Sequence, residues 1–303
     1  MKPKIIILIP VFEDFKCLPI LFKQIKESLD KVCDYKILLI DDGSFKDLDE
    51  KKKISKLSNI KTLTLSQNVG HQRSIAIGIC YLSQKIDFDF VLIMDGDGED
   101  NPRDAKRLIV HSQENQQESI YFARRDVRSE PITFKFGYFL YRIFFRVCTG
   151  KSIKFGNFSL IHAKLLKRLS GIPELWNHYA SGVLAANLPV IEISTRRSGR
   201  IAGRPKMNLT SLVLHGISSI TTFLSVFALR ISIFFSLATV SNLIVFITPL
   251  GACLPTALTN HSVLILLVLS SLTLNSFFFL LFAVSRRDHP PCNPSTFWKN
   301  FIS

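Results

Sequence analysis

The chain has 303 residues, and its 38 Lys and Arg against 24 Asp and Glu give a formal net charge of +14. This excess favours an anionic partner such as a nucleic acid, a phosphorylated substrate or a membrane surface. The mean hydropathy of +0.24 is high for a chain that is 20% charged, which excludes an even mixture of charged and apolar residues.

The N-terminal part predicts strands that alternate with helices. Apolar runs typical of buried strands are "KIIILIPVF", "YKILLIDDGS", "IKTLTLS" and "FDFVLIMDGDG". Helical spacing of apolar positions occurs in "LPILFKQIKESLDKV", "QRSIAIGICYLSQ" and "DAKRLIVHSQENQ". This order predicts a mostly parallel sheet covered on both faces.

The first apolar run is short and soon meets Glu13 and Asp14, so we expect a strand and not a signal peptide. The six cysteines form no CxxC pair, and we expect them to be reduced.

Acidic clusters follow three of the predicted strands, in "PVFED", "DDGS" and "DGDGED". The carboxyl ends of parallel strands meet at one edge of a sheet, where ligands bind. Neither GxGxxG after the first strand nor GxxxxGK[ST] is present, which argues against a dinucleotide fingerprint and a P-loop. The four carboxylates of Asp95, Asp97, Glu99 and Asp100 suit Mg²⁺ or Mn²⁺, and substrate phosphates would complete the metal's shell. A solvated acidic turn is the alternative.

A long segment without Asp, Glu, Lys or Arg runs from Ile231 to Ser285. It predicts two membrane spans, near 231–248 and 263–284, joined by a turn at 249–261; a buried helical hairpin is the alternative. Basic residues lie on both outer flanks, so both ends are expected in the cytoplasm. This clustering disfavours a nucleic-acid binder. The flanking residues are Arg196, Arg197, Arg200, Arg204, Lys206, Arg230, Arg286 and Arg287.

The stretch 208–230 has apolar residues at helical spacing with Ser, Thr and His opposite. This pattern predicts a helix in the membrane interface, and an ordinary core helix is the alternative.

Four motifs carry a family resemblance: "IPVFED", "LLIDDGS", "SQNVGHQRSIAIG" and "MDGDGEDNP". Their order and spacing resemble the PVYNE, VDDGS, NxGxxxAxxxG and MDADxQDP forms of family 2 glycosyltransferases with a GT-A fold. The later segments "RRDVR" and "RSGRIAGRPKMN", with the predicted hairpin, are similar to polyprenyl-phosphate glycosyltransferases, including dolichyl-phosphate mannose synthases. The resemblance covers nearly the whole chain.

The resemblance implies a role for each matching position. The nucleotide pocket would be lined by Pro10, Phe12, Asp14, Asp41 and Asp42. The metal and the donor diphosphate would be held by Asp95 and Asp97, with Glu99 at a position that usually carries Gln. Phosphate oxygens would be bound by Arg125, Arg128, Arg200 and Lys206, since guanidinium groups suit them. A positive-inside anchor on anionic lipid is the alternative for the segment from Arg196 to Lys206.

Two positions depart from the family form G-D-F-R-L, because this chain has Asn157 for Asp and Ser159 for Arg. A phosphate acceptor is already largely ionised at neutral pH and needs positioning more than deprotonation. Asn157 therefore weakens the case for a sugar-hydroxyl acceptor and is compatible with a lipid phosphate. Pro205 replaces the usual Ser before Lys206, which alters the expected geometry there.

Together these observations predict an α/β GT-A (Rossmann-like) domain over 1–205, a juxtamembrane helix over 206–230, a transmembrane hairpin over 231–285 and a cytosolic tail over 286–303. The expected activity is inverting transfer from a UDP- or GDP-sugar to a polyprenyl phosphate at the cytoplasmic face of the inner membrane, for cell-envelope glycans. The alternatives are another acceptor, or an inactive relative that serves as a membrane scaffold. A processive polysaccharide synthase is disfavoured because its QxxRW motif is absent. The sequence leaves open whether the chain forms homo-oligomers.

Overall fold

The computed structural model describes residues 1–85, 87–127, 132–196, 199–201, 209–247, 261–285 and 298–302. The chain divides into two compact units. The first unit comprises Met1–Tyr141, Ile153–Thr222 and Pro291–Ser303. The second unit comprises Arg142–Ser152 and Phe223–Pro290.

The first unit begins with alternating strands and helices, and the sequence predicts all of them except α2. In chain order they are β1 (Lys4–Val11), α1 (Leu18–Leu29), β2 (Asp34–Asp41), α2 (Leu48–Ser55), β3 (Ile60–Thr64), α3 (His71–Leu82), β4 (Phe90–Ile93) and α4 (Pro102–Asn115). The elements that follow are β5 (Ile120–Val127), α5 (Ile132–Thr149), β6 (Ser159–His162), α6 (Ala163–Ser170), α7 (Tyr179–Ala185), β7 (Val190–Arg196), α8 (Leu209–Thr221), α9 (Leu224–Ile247) and α10 (His261–Ser285). Short 3-10 helices lie at Phe15–Cys17, Pro173–Trp176 and Trp298–Phe301.

The seven strands form one sheet in the order β3-β2-β1-β4-β6-β5-β7. Neighbours are parallel except that β6 runs antiparallel to both β4 and β5. The predicted mostly parallel sheet is confirmed, and its central strands are apolar on both faces because helices cover both sides. Ile7 of β1 and Leu92 of β4, for example, are fully buried.

Two elements near the site were not predicted. α2 carries "LDEKKKIS", in which only Ile54 is buried, so it lacks the apolar stripe by which helices are recognised. β6 reverses direction, and it brings the "GNFSL" motif next to β4 through the pair Ile93 and Ser159. This pairing puts Asn157 beside the end of β4, close to the acidic turn.

The predicted single helix over 208–230 is two helices in the structure. α8 ends at Thr221 and α9 begins at Leu224, so the helix is interrupted between these two residues. Arg230 therefore lies inside α9, where its guanidinium donates to the carbonyl of Val147 at 2.8 Å. A basic side chain that neutralises the last carbonyls of α5 favours that helix terminus.

The second unit is dominated by α9 and α10, which pack on each other. The rings of Phe235 and Phe278 stack at 6.0 Å, and Thr239 and Ser271 are joined by a hydrogen bond of 2.7 Å between their hydroxyls. Within the described residues, one helix is long and apolar enough to cross a membrane, over Leu224–Ser241. The apolar stretch of α10 is shorter, over Ile265–Phe278. The two-span hairpin stays a prediction, and its turn lies outside the described residues.

Candidate active site

The acidic ends of β1 and β2 meet at one edge of the sheet, as the sequence predicts. The amide of Asp42 donates to the carbonyl of Val11 at 2.8 Å, and the amide of Glu13 donates to the hydroxyl of Ser44 at 2.9 Å. Glu13 has a φ of +50°, a left-handed conformation that is uncommon outside glycine. These bonds fix the turn that presents Asp14.

Asp42 holds the loop that precedes α3. One carboxylate oxygen accepts from the amide of Val69 at 2.7 Å and the other accepts from the amide of Gly70 at 2.9 Å. Burial raises the pKa of Asp42, while these two hydrogen bonds act in the opposite direction. Both oxygens thus position a backbone segment, and the predicted contact of Asp42 with the nucleotide stays a prediction.

Asp41 is fully buried and is also engaged within the protein. Its carboxylate accepts from the amide of Ser44 at 3.0 Å and forms an ion pair with Lys51 of α2. A buried carboxylate needs such compensation because desolvation penalises an isolated charge. Lys51 is a site residue that the sequence reasoning missed, since its helix was not predicted.

The "DGDGED" segment forms a tight turn after β4. The side chain of Asp100 accepts from the amide of Asp95 at 2.9 Å, and that of Asp97 accepts from the amide of Glu99 at 2.9 Å. Gly98 has a φ of +82°, and a Cβ at this position would lie 2.4 Å from Cδ1 of Ile201. The turn therefore requires glycine both for its backbone conformation and for the close approach of Ile201.

Arg200 joins two of the acidic clusters. Its guanidinium lies 3.3 Å from a carboxylate oxygen of Asp14 and 3.2 Å from one of Asp97, and the three side chains are 16–24% exposed. The next residue, Ile201, donates its amide to the carbonyl of Asp97 at 2.9 Å. A residue distant in sequence thus brings a positive charge between the ends of β1 and β4. The sequence predicted that Arg200 belongs to the site, but not these partners.

The fit of a divalent ion can be judged from these side chains. Among the described His, Cys, Asp and Glu residues, no group of three comes close enough to enclose a metal ion unaided. The contacts of Asp95 with His71 and of Asp97 with Arg200 show that this turn attracts positive charge. Such a donor set fits an ion that takes one or two carboxylates and completes its shell with phosphate oxygens. The joint ligation by Asp95, Asp97 and Glu99 stays a prediction.

Asn157 is the centre of a directional hydrogen-bond chain. The amide of Tyr179 donates to Oε1 of Gln72 at 2.7 Å, and Nε2 of Gln72 donates to Oδ1 of Asn157 at 3.3 Å. A backbone N–H only donates, so the chain turns Nδ2 of Asn157 towards Nε2 of His71, 3.1 Å away.

His71 thus lies between Asn157 and Asp95, whose Oδ1 is 3.2 Å from the same Nε2 atom. Burial is the largest influence and lowers the pKa of His71, but the charge and hydrogen bond of Asp95, together with the charges of Asp100 and Asp97, outweigh burial, so the pKa is raised overall. The sequence reasoning left His71 and Gln72 without a role. A histidine that follows a glycine turn and opens a helix at the ligand edge of the sheet was the available signal.

Ser159, the second departure from the family form, is also satisfied. Its hydroxyl lies 2.7 Å from the hydroxyl of Tyr179 and donates to the carbonyl of Asn157 at 3.0 Å. Both Ser159 and Tyr179 are fully buried, and burial raises the pKa of Tyr179. The small serine therefore meets the tyrosine hydroxyl in a buried space where a longer arginine would have to displace the tyrosine side chain.

The remaining predicted site residues divide into those that the structure describes and those that it does not. Pro10 is the last residue but one of β1 and pairs with Ile40, and Phe12, which follows the strand, is 37% exposed. The backbone of Arg125 belongs to β5, but its side chain lies outside the described part of the structure. Arg128 and Lys206 lie wholly outside the described residues.

Comparison with known proteins decides the family. Residues 6–170, more than half of the chain, match the family described as Glycosyl transferase family 2. The chain belongs to glycosyl transferase family 2. The catalytic activity of this family 2 glycosyltransferase is accordingly the transfer of a sugar.

Two proteins of related sequence support the same assignment. A bactoprenol glucosyl transferase of Shigella phage SfX is 28% identical over 234 residues, which cover 73% of this chain and 73% of that protein. The uncharacterized glycosyltransferase YkcC of Bacillus subtilis is 24% identical over 226 residues, which cover 72% of this chain and 67% of that protein.

Solved structures support the fold of the family 2 glycosyltransferase. Glucosyl-3-phosphoglycerate synthase from Mycobacterium tuberculosis, solved with Mn²⁺, UDP and phosphoglyceric acid, aligns with a TM-score of 0.52 and 13% identity over 74% of this chain and 78% of that chain. Mannosyl-3-phosphoglycerate synthase from Rubrobacter xylanophilus aligns with a TM-score of 0.50 and 11% identity over 73% and 72%. At these identities the likeness shows the GT-A-like fold alone.

Proposed function

We propose that this family 2 glycosyltransferase moves a sugar from a nucleotide-sugar donor to a polyprenyl phosphate at the cytoplasmic face of the inner membrane, for cell-envelope glycan synthesis or modification. The similarity to a bactoprenol glucosyl transferase supports a lipid acceptor. The observation that carries the proposal is the outward apolar face of α8, a helix of the same unit that contains the acidic site.

α8 exposes apolar side chains on its outer face, where a helix of a soluble domain usually carries polar ones. On its inner face the buried hydroxyl of Ser219 meets that of Tyr141 at 2.5 Å, and the backbone carbonyl of Ser218 accepts from Asn177 at 3.1 Å. Its apolar side chains Val213 and Ile217 are 53% and 51% exposed. Apolar side chains on an outer helical face are stable when acyl chains replace water, so this pattern supports an interfacial helix.

The inner face of α8 is fastened by a neutral histidine pair. The rings of His178 and His215 lie 4.5 Å apart. Burial and the neighbouring His215 lower the pKa of His178 to about 3, and burial lowers the pKa of His215. Both rings are therefore uncharged at neutral pH. The contact between α8 and His178 thus buries no charge that would have to be desolvated.

α5 adds a second apolar surface. Phe139, Phe144 and Val147 are 54–64% exposed, although they lie in a folded helix, and Arg142 on the same helix is exposed as well. Exposed apolar side chains of this size mark interaction surfaces, and interleaved arginines suit anionic headgroups. This surface supports the proposed membrane attachment.

The tail supports the proposed membrane topology. The carbonyl of Phe301 accepts from the amide of Ser66 at 2.9 Å, so residues 298–302 lie on the first unit. If α9 crosses the membrane, the chain must cross again before it reaches Phe301. An even number of crossings agrees with both termini in the cytoplasm and with a hairpin formed by α9 and α10.

The donor would occupy the acidic edge, where Asp95 and Asp97 would hold Mg²⁺ or Mn²⁺ and Asp14 would line the nucleotide pocket. A bound divalent ion neutralises the charge that develops on a leaving diphosphate. The guanidinium of Arg200 would then turn to the phosphate oxygens. Its paired N–H donors bind such oxygens better than the point charge of a lysine does. Arg125, Arg128 and Lys206 would complete this phosphate-binding set.

The acceptor phosphate would attack the anomeric carbon directly and invert its configuration. The nucleophile is already charged, so the reaction requires orientation and charge neutralisation and no strong base. Asn157 suits this task, because its amide is held in one orientation by Gln72 and faces His71. The loss of the family aspartate at 157 is therefore compatible with a working lipid-phosphate transferase.

The decisive experiment uses the full chain in detergent micelles with undecaprenyl phosphate, Mn²⁺ or Mg²⁺ and a panel of UDP- and GDP-sugars. We expect mass spectrometry to detect a lipid-linked sugar with one donor class. Undecaprenol without phosphate, addition of EDTA and the variant Asp97→Asn should each abolish the product. Absence of any lipid product, with sugar transferred to another acceptor or not at all, would favour the alternatives of a different acceptor or an inactive scaffold.

A further inference from the structure

The last described residues of the chain extend the central sheet. Ile302 pairs with Leu65 in an antiparallel bridge, and the carbonyl of Phe301 accepts from the amide of Ser66 at 2.9 Å and from its hydroxyl at 3.4 Å. The amide of Leu65 points the other way and donates to the carbonyl of Asp41 at 2.8 Å. Because β3 is the terminal strand of the sheet, this pairing covers the end of an otherwise open edge.

Aromatic packing fastens the same residues a second time. The ring of Phe301 lies 6.1 Å from the ring of Trp176, and the 3-10 helix Trp298–Phe301 contacts α3. The tail segment, defined as residues 298–302, is thus held by backbone hydrogen bonds and by a side-chain contact.

The loop that begins at Ser66, which the tail segment contacts, leads directly into the candidate active site. Ser66 is followed by a loop whose far end is bound by the carboxylate of Asp42, through the amides of Val69 and Gly70. The same loop packs so closely on Gly43 that a Cβ there would lie 2.8 Å from the carbonyl carbon of Gln67. The loop therefore has two fastenings, the tail segment at its start and Asp42 at its end.

The residue after this loop is His71, whose ring lies beside Asp95 and Asn157. A shift at Ser66 would pass through Gln67 and Asn68, the two residues between the fastenings, to Val69 and Gly70. Small displacements of positioning groups have large effects on turnover.

We propose that the tail segment is a positioning element of the catalytic unit, and that it fixes the 66–70 loop and thereby the placement of His71. Phe301 and Ile302 are the residues that carry this function. The effect on turnover rests on the proposed function, whereas the effect on the loop does not. The tail segment, which follows α10 in the chain, would in this way help to position residues of the candidate active site.

Hydrogen exchange on the full-length protein tests the structural part of the proposal. The variants are a deletion of residues 298–303 and Phe301→Ala, and the control is Lys299→Ala, an exposed residue of the same segment. We expect exchange of the Ser66, Val69 and Gly70 amides to accelerate about tenfold or more in the deletion and less in Phe301→Ala, because local opening becomes easier. Amides of β1 should be unchanged in all variants, which excludes general unfolding. Unchanged exchange at Ser66 in the deletion would overturn the proposal.

Kinetics with the lipid acceptor test the functional part. We expect the deletion to lower kcat by about tenfold or more and a synthetic peptide of residues 295–303, added in trans, to restore part of it. Lys299→Ala should match the wild type. Faster loop exchange with unchanged kcat would refute the positioning role. If the wild type transfers no sugar from any donor, the proposed function fails, and the exchange result alone decides whether the tail segment holds the loop.

Discussion

Removal of the Arg200 guanidinium should strengthen binding of a divalent ion in the absence of donor. In the structure this group lies 3.2 Å from Asp97 and 3.3 Å from Asp14, with all three side chains mostly shielded from water. An ion that binds Asp97 must first displace or share that charge. A hydrogen bond between charged groups contributes about 1.5–3 kcal/mol, and partial exposure and the remaining contact to Asp14 reduce the cost of breaking one of them to about 1–2 kcal/mol.

That cost corresponds to about 5- to 30-fold in affinity. Arg200→Ala should therefore bind Mn²⁺ about 5- to 30-fold more tightly than the wild type, as measured by the loss of the free-ion signal in electron paramagnetic resonance. The same variant should lose at least about 100-fold in turnover, because phosphate charge is left uncompensated. Tight metal binding and poor catalysis would thus appear in one variant.

Two controls separate this effect from a change in net charge. Arg200→Lys keeps the positive charge and should bind Mn²⁺ about as the wild type does. Lys23→Ala removes one exposed charge on α1 and should leave the affinity unchanged. Equal or weaker Mn²⁺ binding by Arg200→Ala would refute the argument that Arg200 and the ion compete for Asp97.

Four further predictions follow from the geometry. Asn157→Asp should change turnover by less than about tenfold, or about 1.4 kcal/mol of barrier, whereas a gain of several orders of magnitude would identify the native chain as a silenced relative. Asp42→Asn leaves one backbone N–H facing an amide and should destabilise the protein by about 1–3 kcal/mol, seen as a lower Tm. Gly98→Ala should cost about 1–2 kcal/mol of local strain and lower turnover by displacing Ile201, with circular dichroism unchanged. In a chain without its native cysteines, Thr259→Cys should be labelled from outside the cell and Ser303→Cys should not; the reverse pattern would overturn the proposed orientation.

The central strands were predictable because their sequences are strongly apolar. β1, β2 and β4 each read as a short buried run that ends in acidic residues, and parallel strands bring such ends together. The helices that follow β1 and β4 were equally clear from their apolar stripes. α2 was not predicted because a helix with one buried residue has no apolar stripe. Lys51, which lies on α2 and neutralises Asp41, was missed for the same reason.

The partners within the site were not predictable, because they depend on contacts between residues far apart in sequence. Arg200 and Asp14 are 186 residues apart, and no local pattern indicates which of several arginines reaches the acidic turn. Sequence motifs identify the residue types that meet at the strand ends. Their pairing is decided by where Arg200 and Ile201 lie relative to the ends of β1 and β4.

The departures from the family form show why a substitution is best judged from its surroundings. Taken alone, Asn157 in place of aspartate suggests a lost base. In the structure its carbonyl accepts from Gln72 and its amide faces His71, so both ends of the side chain are used. An aspartate would accept at both ends and would favour a proton on His71, next to the Asp95 carboxylate. Asparagine instead faces His71 with an uncharged amide and adds no negative charge where the acceptor phosphate would arrive. The residue that weakens the case for base catalysis is therefore the one that lowers electrostatic repulsion against an incoming phosphate.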